Sequence, residues 1–291
     1  MSESLSLEKI GELGLIAGGG PIPLAVIDRF EALGLPRPHV FPISGDACEE
    51  LYEVDHTPIS VVDLPKVIQT CKRRGISTVT LIGTIKSRPK ATAIRPSWTL
   101  LSLLPRAIRA LRGGDDGILS VVVAAFEQGG LTVFGVHELF PDLLCEVGPL
   151  GRIKPSAKMV SSIQKGFHAA KALGAMDAGQ GVVVLGRRIV ALEGAEGTDA
   201  MLARVADLKK IGRLPDGKGG ILVKVSKPSQ ELRVDMPTSG PKTIEGAIAA
   251  SLDGVALEAG KTLVADRAEM IAKADEHRLF IVGTTDDDIS A

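Results

Sequence analysis

Short apolar runs alternate with amphipathic stretches from residue 13 to residue 136, and this alternation constrains the fold more than any other feature of the chain. LGLIAGG (13–19), HVFPIS (39–44), ISVVD (59–63), TVTLIG (78–83) and LTVFGV (131–136) read as strands. They are short and rich in apolar residues, the mark of strands buried between layers. The intervening segments 22–33, 64–74, 99–112 and 115–128 carry helical spacing. Asp63 can cap the second of these, with Pro65 in its first turn, and Gly113-Gly114 separates the last two. Strands alternating with helices predict a mostly parallel sheet covered on both faces, a Rossmann-like α/β domain.

PLGRIKPSA (149–157) reads as a linker, with two prolines, a glycine and basic residues. It divides the chain into an N-terminal domain over 1–150 and a C-terminal domain over 156–291. The second begins with an amphipathic helix over 157–173 and a hairpin over 181–194 that turns near Gly186-Arg187. A helix from Thr198 to about Lys210, a strand ILVKVSK (221–227) and a helix capped by Thr243 follow. GVALEAGKTLVAD (254–266) reads as a second hairpin, DRAE (266–269) as a capping box and LFIVG (279–283) as the last strand. This order predicts a second α/β domain with a mixed sheet. The tail TTDDDIS is expected to be solvated and frayed.

Composition removes several classes. The 291 residues suit two ordinary domains, and 45% apolar content with only 3% aromatics leaves the packing to Val, Ile, Leu and Ala. A net charge of −1 gives no basic excess for a nucleic-acid backbone. Cys48, Cys71 and Cys145 form no CxxC pair or zinc spacing and suit a reducing cytosol. The N-terminus is polar and acidic, and the apolar stretches at 118–126 and 181–185 fall well short of the roughly 20 residues a bilayer span takes. The chain is expected to be soluble and cytoplasmic.

The polar motifs concentrate in the C-terminal half. KVSKPSQELRVDMPTSGP (224–241) is the densest: Lys224, Lys227 and Arg233 bring positive charge, and Asp235 adds a carboxylate that Pro237 keeps out of a helix. Thr238, Ser239 and Gly240 can donate to an anion before the next helix. Cations and a carboxylate on irregular backbone suit a phosphate-and-metal site; the plainer reading is a solvated loop. In EGAEGTD (193–199), Glu193, Glu196 and Asp199 join Thr198 around a helix start that could receive a phosphate and hold Mg²⁺. Asp177 and Gln180 in DAGQG are turn residues or ligands with equal claim. In the N-terminal half, Gly18, Gly19 and Gly20 follow a strand and precede a helix, as a phosphate loop or a tight turn. They are not a dinucleotide fingerprint, because Pro23 occupies the final glycine position. Asp115 and Asp116 open a helix; a cap needs one of them, leaving the other for a metal or ligand. GKT (260–262) is not a Walker A loop, since Val255 stands where its first glycine belongs, and His137-Glu138 lacks the second histidine of a zinc protease. PSWTLLSLLPRAIRALR (96–112) reads first as an amphipathic helix on the sheet and second as an interfacial or acyl-chain segment.

These blocks resemble a known family. GLIAGGG (14–20), SRP (87–89), GDD (114–116), GVHE (135–138), DAGQG (177–181), EGTDAML (196–202), KPSQELRVDMPTSGP (227–241) and AGKTLVADR (259–267) are similar, in this order, to the LpxI-type UDP-2,3-diacylglucosamine pyrophosphatases of lipid A biosynthesis. Two blocks depart: GTIKSRP (83–89) stands for the family's GNVSRP, and Arg112-Gly113 for a lysine before GDD. The resemblance implies Mg²⁺-dependent hydrolysis of UDP-2,3-diacylglucosamine to lipid X and UMP, by attack of water on the β-phosphorus. It implies two linked domains that hold the lipid between them, and an essential aspartate that corresponds to Asp235. On this reading Asp235 ligates metal or orients water, with Asp115 and Asp116 as further metal ligands and Asp199 and Glu196 as further catalytic groups. Gly18, Gly19, Gly20, Gln180, Thr198, Lys224, Lys227, Arg233 and Thr238 would bind substrate. A homodimer and peripheral contact with the cytoplasmic face of the inner membrane are expected by likeness alone, and no nucleic-acid partner is expected. The alternative is a non-catalytic regulator that binds UDP-sugars or lipid X; a nucleotide-dependent oxidoreductase is disfavoured by the broken fingerprint.

Overall fold

A computed structural model describes residues 10–85, 115–228 and 230–290. The chain divides into two compact units, Met1–Pro141 with Glu231–Asp235, and Asp142–Gln230 with Met236–Ala291. The helix expected over 99–112, Trp98 and the SRP motif lie outside the described residues.

In the first unit, β1 (Leu13–Ala17), β2 (His39–Pro42), β3 (Thr78–Ile82) and β4 (Thr132–Val133) form a sheet in the order β2-β1-β3-β4. Every pairing is parallel, as the buried apolar runs predict. α1 (Ile22–Ala32), α2 (Leu64–Arg74) and α3 (Asp115–Gln128) connect or cover the strands, and the single turn α4 (Val136–Leu139) follows β4. Phe41, Val67, Cys71, Val79, Val123 and Phe126 make the core. The strand expected over 59–63 is not formed: Ile59 makes one parallel bridge to Ile43, and Asp63 then accepts the Ser60 N–H at 2.9 Å at the start of α2. Because β2 and β3 flank β1, the connections leaving β1 and β3 diverge, and it is at such a reversal of strand order that open α/β sheets carry ligands.

The second unit holds β5 (Gly148–Pro149), α5 (Ala157–Ala175), β6 (Gly181–Leu185), β7 (Arg188–Leu192), α6 (Gly197–Lys210) and β8 (Ile221–Lys224). It continues with β9 (Thr238–Ser239), α7 (Pro241–Ala249), β10 (Gly254–Glu258), β11 (Leu263–Val264), α8 (Arg267–Glu276), β12 (Phe280–Thr284) and α9 (Asp286–Ser290). Six strands make a mixed sheet in the order β5-β12-β10-β8-β6-β7, with β8, β10 and β12 parallel and the other neighbours antiparallel. Strand alternation sorts its side chains onto two faces. Val182, Val184, Ile221, Val223 and Phe280 meet Ile163, Phe167 and Leu173 of α5. Val183, Leu222, Val255, Leu257 and Ile281 meet Met201, Leu202 and Val205 of α6, Ile244 of α7 and Met270 of α8.

Four local readings are corrected here. The segment 254–266 is not a hairpin: all five β10 residues are buried in parallel pairing with β8 and β12, while β11 pairs with β9 in a separate ladder. Thr243 is not the cap of α7; Gly240 is, and its N–H donates to the Thr243 hydroxyl at 3.4 Å. Asp266 adopts a left-handed conformation (φ 43°) and makes no side-chain cap. The acidic tail folds into α9, because Thr285 and Asp288 cap each other reciprocally, backbone N–H to side-chain oxygen. Residues 148 and 149 already pair with β12, so the segment read as a linker begins on the edge of the second sheet. Among the described residues no helix is long and apolar enough to cross a membrane.

Candidate active site

In the second unit one edge of the sheet gathers the polar residues. The carboxyl ends of β8, β10 and β12 lie there. β6 runs antiparallel to β8, with Gly181 opposite Lys224, so the start of β6 and the end of β7 reach the same edge. The edge therefore carries Gln180, Glu193, Lys224, Ser226 and Glu258, where parallel strands of α/β folds present their ligand groups.

Glu258 is 3% exposed and still paired. Both its oxygens lie 2.7 Å from the Lys171 ammonium, and Oε2 accepts from the Ser226 N–H at 2.7 Å and hydroxyl at 2.8 Å. Lys261 adds a contact at 3.1 Å. Burial alone would raise its pKa, but Lys171 and the Ser226 donors outweigh it and hold the carboxyl below the ordinary carboxylate range. Sequence reading missed all three residues. The available signal was a glutamate ending a wholly apolar run.

Next to it, Lys224 is buried and donates to the Thr238 carbonyl at 2.7 Å, while the Thr238 hydroxyl donates to the Met236 carbonyl at 3.3 Å. Lys227 pairs with Asp177 at 2.6 Å, and its N–H donates to Gln230 Oε1 at 3.0 Å. Thr198, in the first turn of α6, donates to Glu193 Oε1 at 2.9 Å. Among the described residues Glu193 Oε2 and Gln180 Oε1 are buried acceptors without a hydrogen-bond partner. Glu196 and Asp199 point outward. Glu196 is held low by its own backbone N–H and by Arg204, 2.8 Å away, and Asp199 pairs with Lys242 at 2.6 Å. Such exposed pairs contribute little to stability.

In the first unit, Gly18 and Gly19 do not present a free cradle of N–H groups. The Gly18 N–H donates to the Ile82 carbonyl and the Gly19 N–H to the Thr84 carbonyl, both at 2.9 Å. A Cβ on Gly18 would lie 2.8 Å from the Thr84 oxygen, so the glycine serves the close approach of the β1 and β3 ends. Gly20 has φ +96°, and Pro21 and Pro23 remove two N–H groups from the start of α1. Asp115 and Asp116 are the first residues of α3.

The segment Glu231–Asp235 belongs to this unit. The Val234 and Asp235 N–H groups close a turn on the Glu231 carbonyl at 3.0 and 2.9 Å, and Val234 packs on the core. Arg233 uses its side chain on carboxylates: Nε and Nη2 donate to Glu231 at 2.9 and 2.8 Å, and Nη1 to Glu127 at 2.9 Å. Burial pushes the His137 imidazole below the ordinary histidine range, against the opposing pull of Glu138 and Glu231. Glu12, His39 and Asp55 could hold a metal by spacing alone, but Arg74 occupies that cluster, donating to Glu12 at 2.6 Å and Asp55 at 2.5 Å. It also lies at the opposite, amino-terminal edge of the sheet.

A parallel α/β unit followed by a mixed-sheet α/β unit, with cations and carboxylates on the carboxyl strand edge, defines a two-domain α/β enzyme. Residues 12–143 match the family model described as the LpxI N-terminal domain, and residues 146–282 that of the LpxI C-terminal domain. The UDP-2,3-diacylglucosamine pyrophosphatase LpxI of Caulobacter vibrioides is 38% identical over 273 residues, 94% of this chain and 97% of that protein. The chain belongs to the LpxI family, and it is a hydrolase.

Proposed function

We propose that this enzyme hydrolyses UDP-2,3-diacylglucosamine to 2,3-diacylglucosamine 1-phosphate (lipid X) and UMP, with Mg²⁺, in lipid A biosynthesis. The observation that carries the reading is 38% identity, over 94% of the chain, with a protein named as a UDP-2,3-diacylglucosamine pyrophosphatase. The water oxygen bonds to the β-phosphorus, the bond from that phosphorus to the bridging oxygen breaks, and the bridging oxygen leaves with UMP.

Asp235 carries the reaction in this reading. It is half-buried at the end of the Glu231–Asp235 turn, on backbone fixed by its own N–H. Carboxylate oxygens are hard donors, and Mg²⁺ takes one or two of them beside substrate phosphates, so Asp235 is the carboxylate that would hold the ion, with Asp115 and Asp116 proposed as its further ligands. Bound there, Mg²⁺ would supply charge neutralisation on the diphosphate. Lys224 and Lys227 supply positive charge at the carboxyl strand edge, and Thr198 and Gln180 supply polar groups beside them. The acylated substrate gives the enzyme reason to work at the cytoplasmic face of the inner membrane.

Incubation with UDP-2,3-diacylglucosamine and Mg²⁺ in ¹⁸O-water, followed by mass spectrometry, tests the reading. Labelled lipid X, unlabelled UMP and loss of both products with EDTA are expected. Tight binding without turnover would favour the regulator instead, and label in UMP would move the attack to the α-phosphorus.

A further inference from the structure

We infer that Glu127 and Arg233 are positioning residues for this hydrolysis: they seat the segment Glu231–Asp235, and with it the Asp235 carboxylate, on the first unit. The inference rests on the reading that Asp235 carries the reaction. Each of the three guanidinium nitrogens of Arg233 donates to a carboxylate, two to Glu231 and one to Glu127 of α3. The planar fork fits this paired geometry, which a lysine could not reproduce. One cation against two carboxylates leaves the trio net negative. A diphosphate approaching it would meet repulsion, so this arrangement seats a segment and does not hold an anion. Glu127 lies in the last turn of α3, whose Val123 and Phe126 are in the core, and so its backbone is anchored. Gly135 admits the segment: a Cβ there would come within 3.0 Å of the Arg233 Cα. Val234 then packs on the core, and Asp235 follows directly.

Glu127→Gln in the full-length chain is the test, because Glu127 is half exposed and its change leaves the core intact. Two readouts are taken, steady-state UMP release and amide exchange of Val234 and Asp235. We expect kcat to fall about tenfold or more with KM unchanged, since small displacements of reacting groups cost rates of that order. We expect the two amides to exchange faster while the thermal midpoint stays in place. Arg233→Lys should behave alike, and the double variant should be no worse than either single one. Full kcat with unaltered exchange in Glu127→Gln overturns the inference. So does a rise in KM confined to Arg233→Lys, which would return Arg233 to the diphosphate. If the unaltered enzyme releases no UMP, the hydrolytic reading fails, and the exchange readout alone then decides whether Glu127 holds the segment.

Discussion

Glu258 ends a strand whose five residues are all buried, and it stays ionised because Lys171 and Ser226 meet it there. Its pKa is lowered from the ordinary 4.5 in the folded state, so its contribution to stability is complete above about pH 4.5 and is lost as pH falls through the folded value. Glu258→Gln should therefore be less stable at pH 7 by about 1–3 kcal/mol, and the gap should narrow in acid; urea titrations from pH 7 to 3 check this. A gap that widens in acid would contradict the assignment. Gly18 makes the contrasting case. Gly18→Ala should cost about 1–3 kcal/mol, read by thermal denaturation, because its Cβ would lie 2.8 Å from the Thr84 oxygen. The glycine loop was legible in the sequence as a loop of two meanings. Which meaning holds depends on where the Gly18 and Gly19 N–H groups go, and their partners stand more than 60 residues away. Asp235 is proposed from its block, whereas Glu258 hid in an apolar run and acquires its partners only by sheet pairing.

At the scale of elements, periodicity read strands and helices well wherever pairing or packing was local. The hairpin of β6 and β7 turns at the expected residues, and α5 forms with its apolar face inward. Residues 254–266 misled because two apolar runs around a glycine mimic a hairpin, while the partners of β10 are the distant β8 and β12. Phe167 is fully buried between α5 and the sheet. Phe167→Ala should destabilise the enzyme by about 3–5 kcal/mol in urea denaturation, since the side chain is lost and a cavity remains. At the other edge of the sheet, away from the polar groups, the buried Lys209 donates to the carbonyls of Gly217, Gly219 and Ser251 at 2.8–3.0 Å. That ammonium ties the end of α6 to the loops entering β8 and leaving α7, which is a structural duty.

At the scale of the whole chain, each unit has its own core, and the family models divide close to the same place, at residues 143 and 146. The proline- and glycine-bearing segment at 149–157 made the division into two domains legible. The return of Glu231–Asp235 to the first unit was not legible, because it depends on Val234 packing and on Arg233 finding Glu127, neither of which leaves a local pattern. That five-residue return places the essential candidate with the unit that also carries Asp115 and Asp116. Hydrolysis of the acylated UDP-sugar is proposed to depend on the Asp235 carboxylate. UMP release from UDP-2,3-diacylglucosamine, compared between the unaltered enzyme and a folded Asp235→Asn variant at saturating Mg²⁺, tests it most directly. Steady turnover is expected of the first and a loss of about a hundredfold or more in the second. No release by the unaltered enzyme, or an undiminished rate in Asp235→Asn, would contradict it.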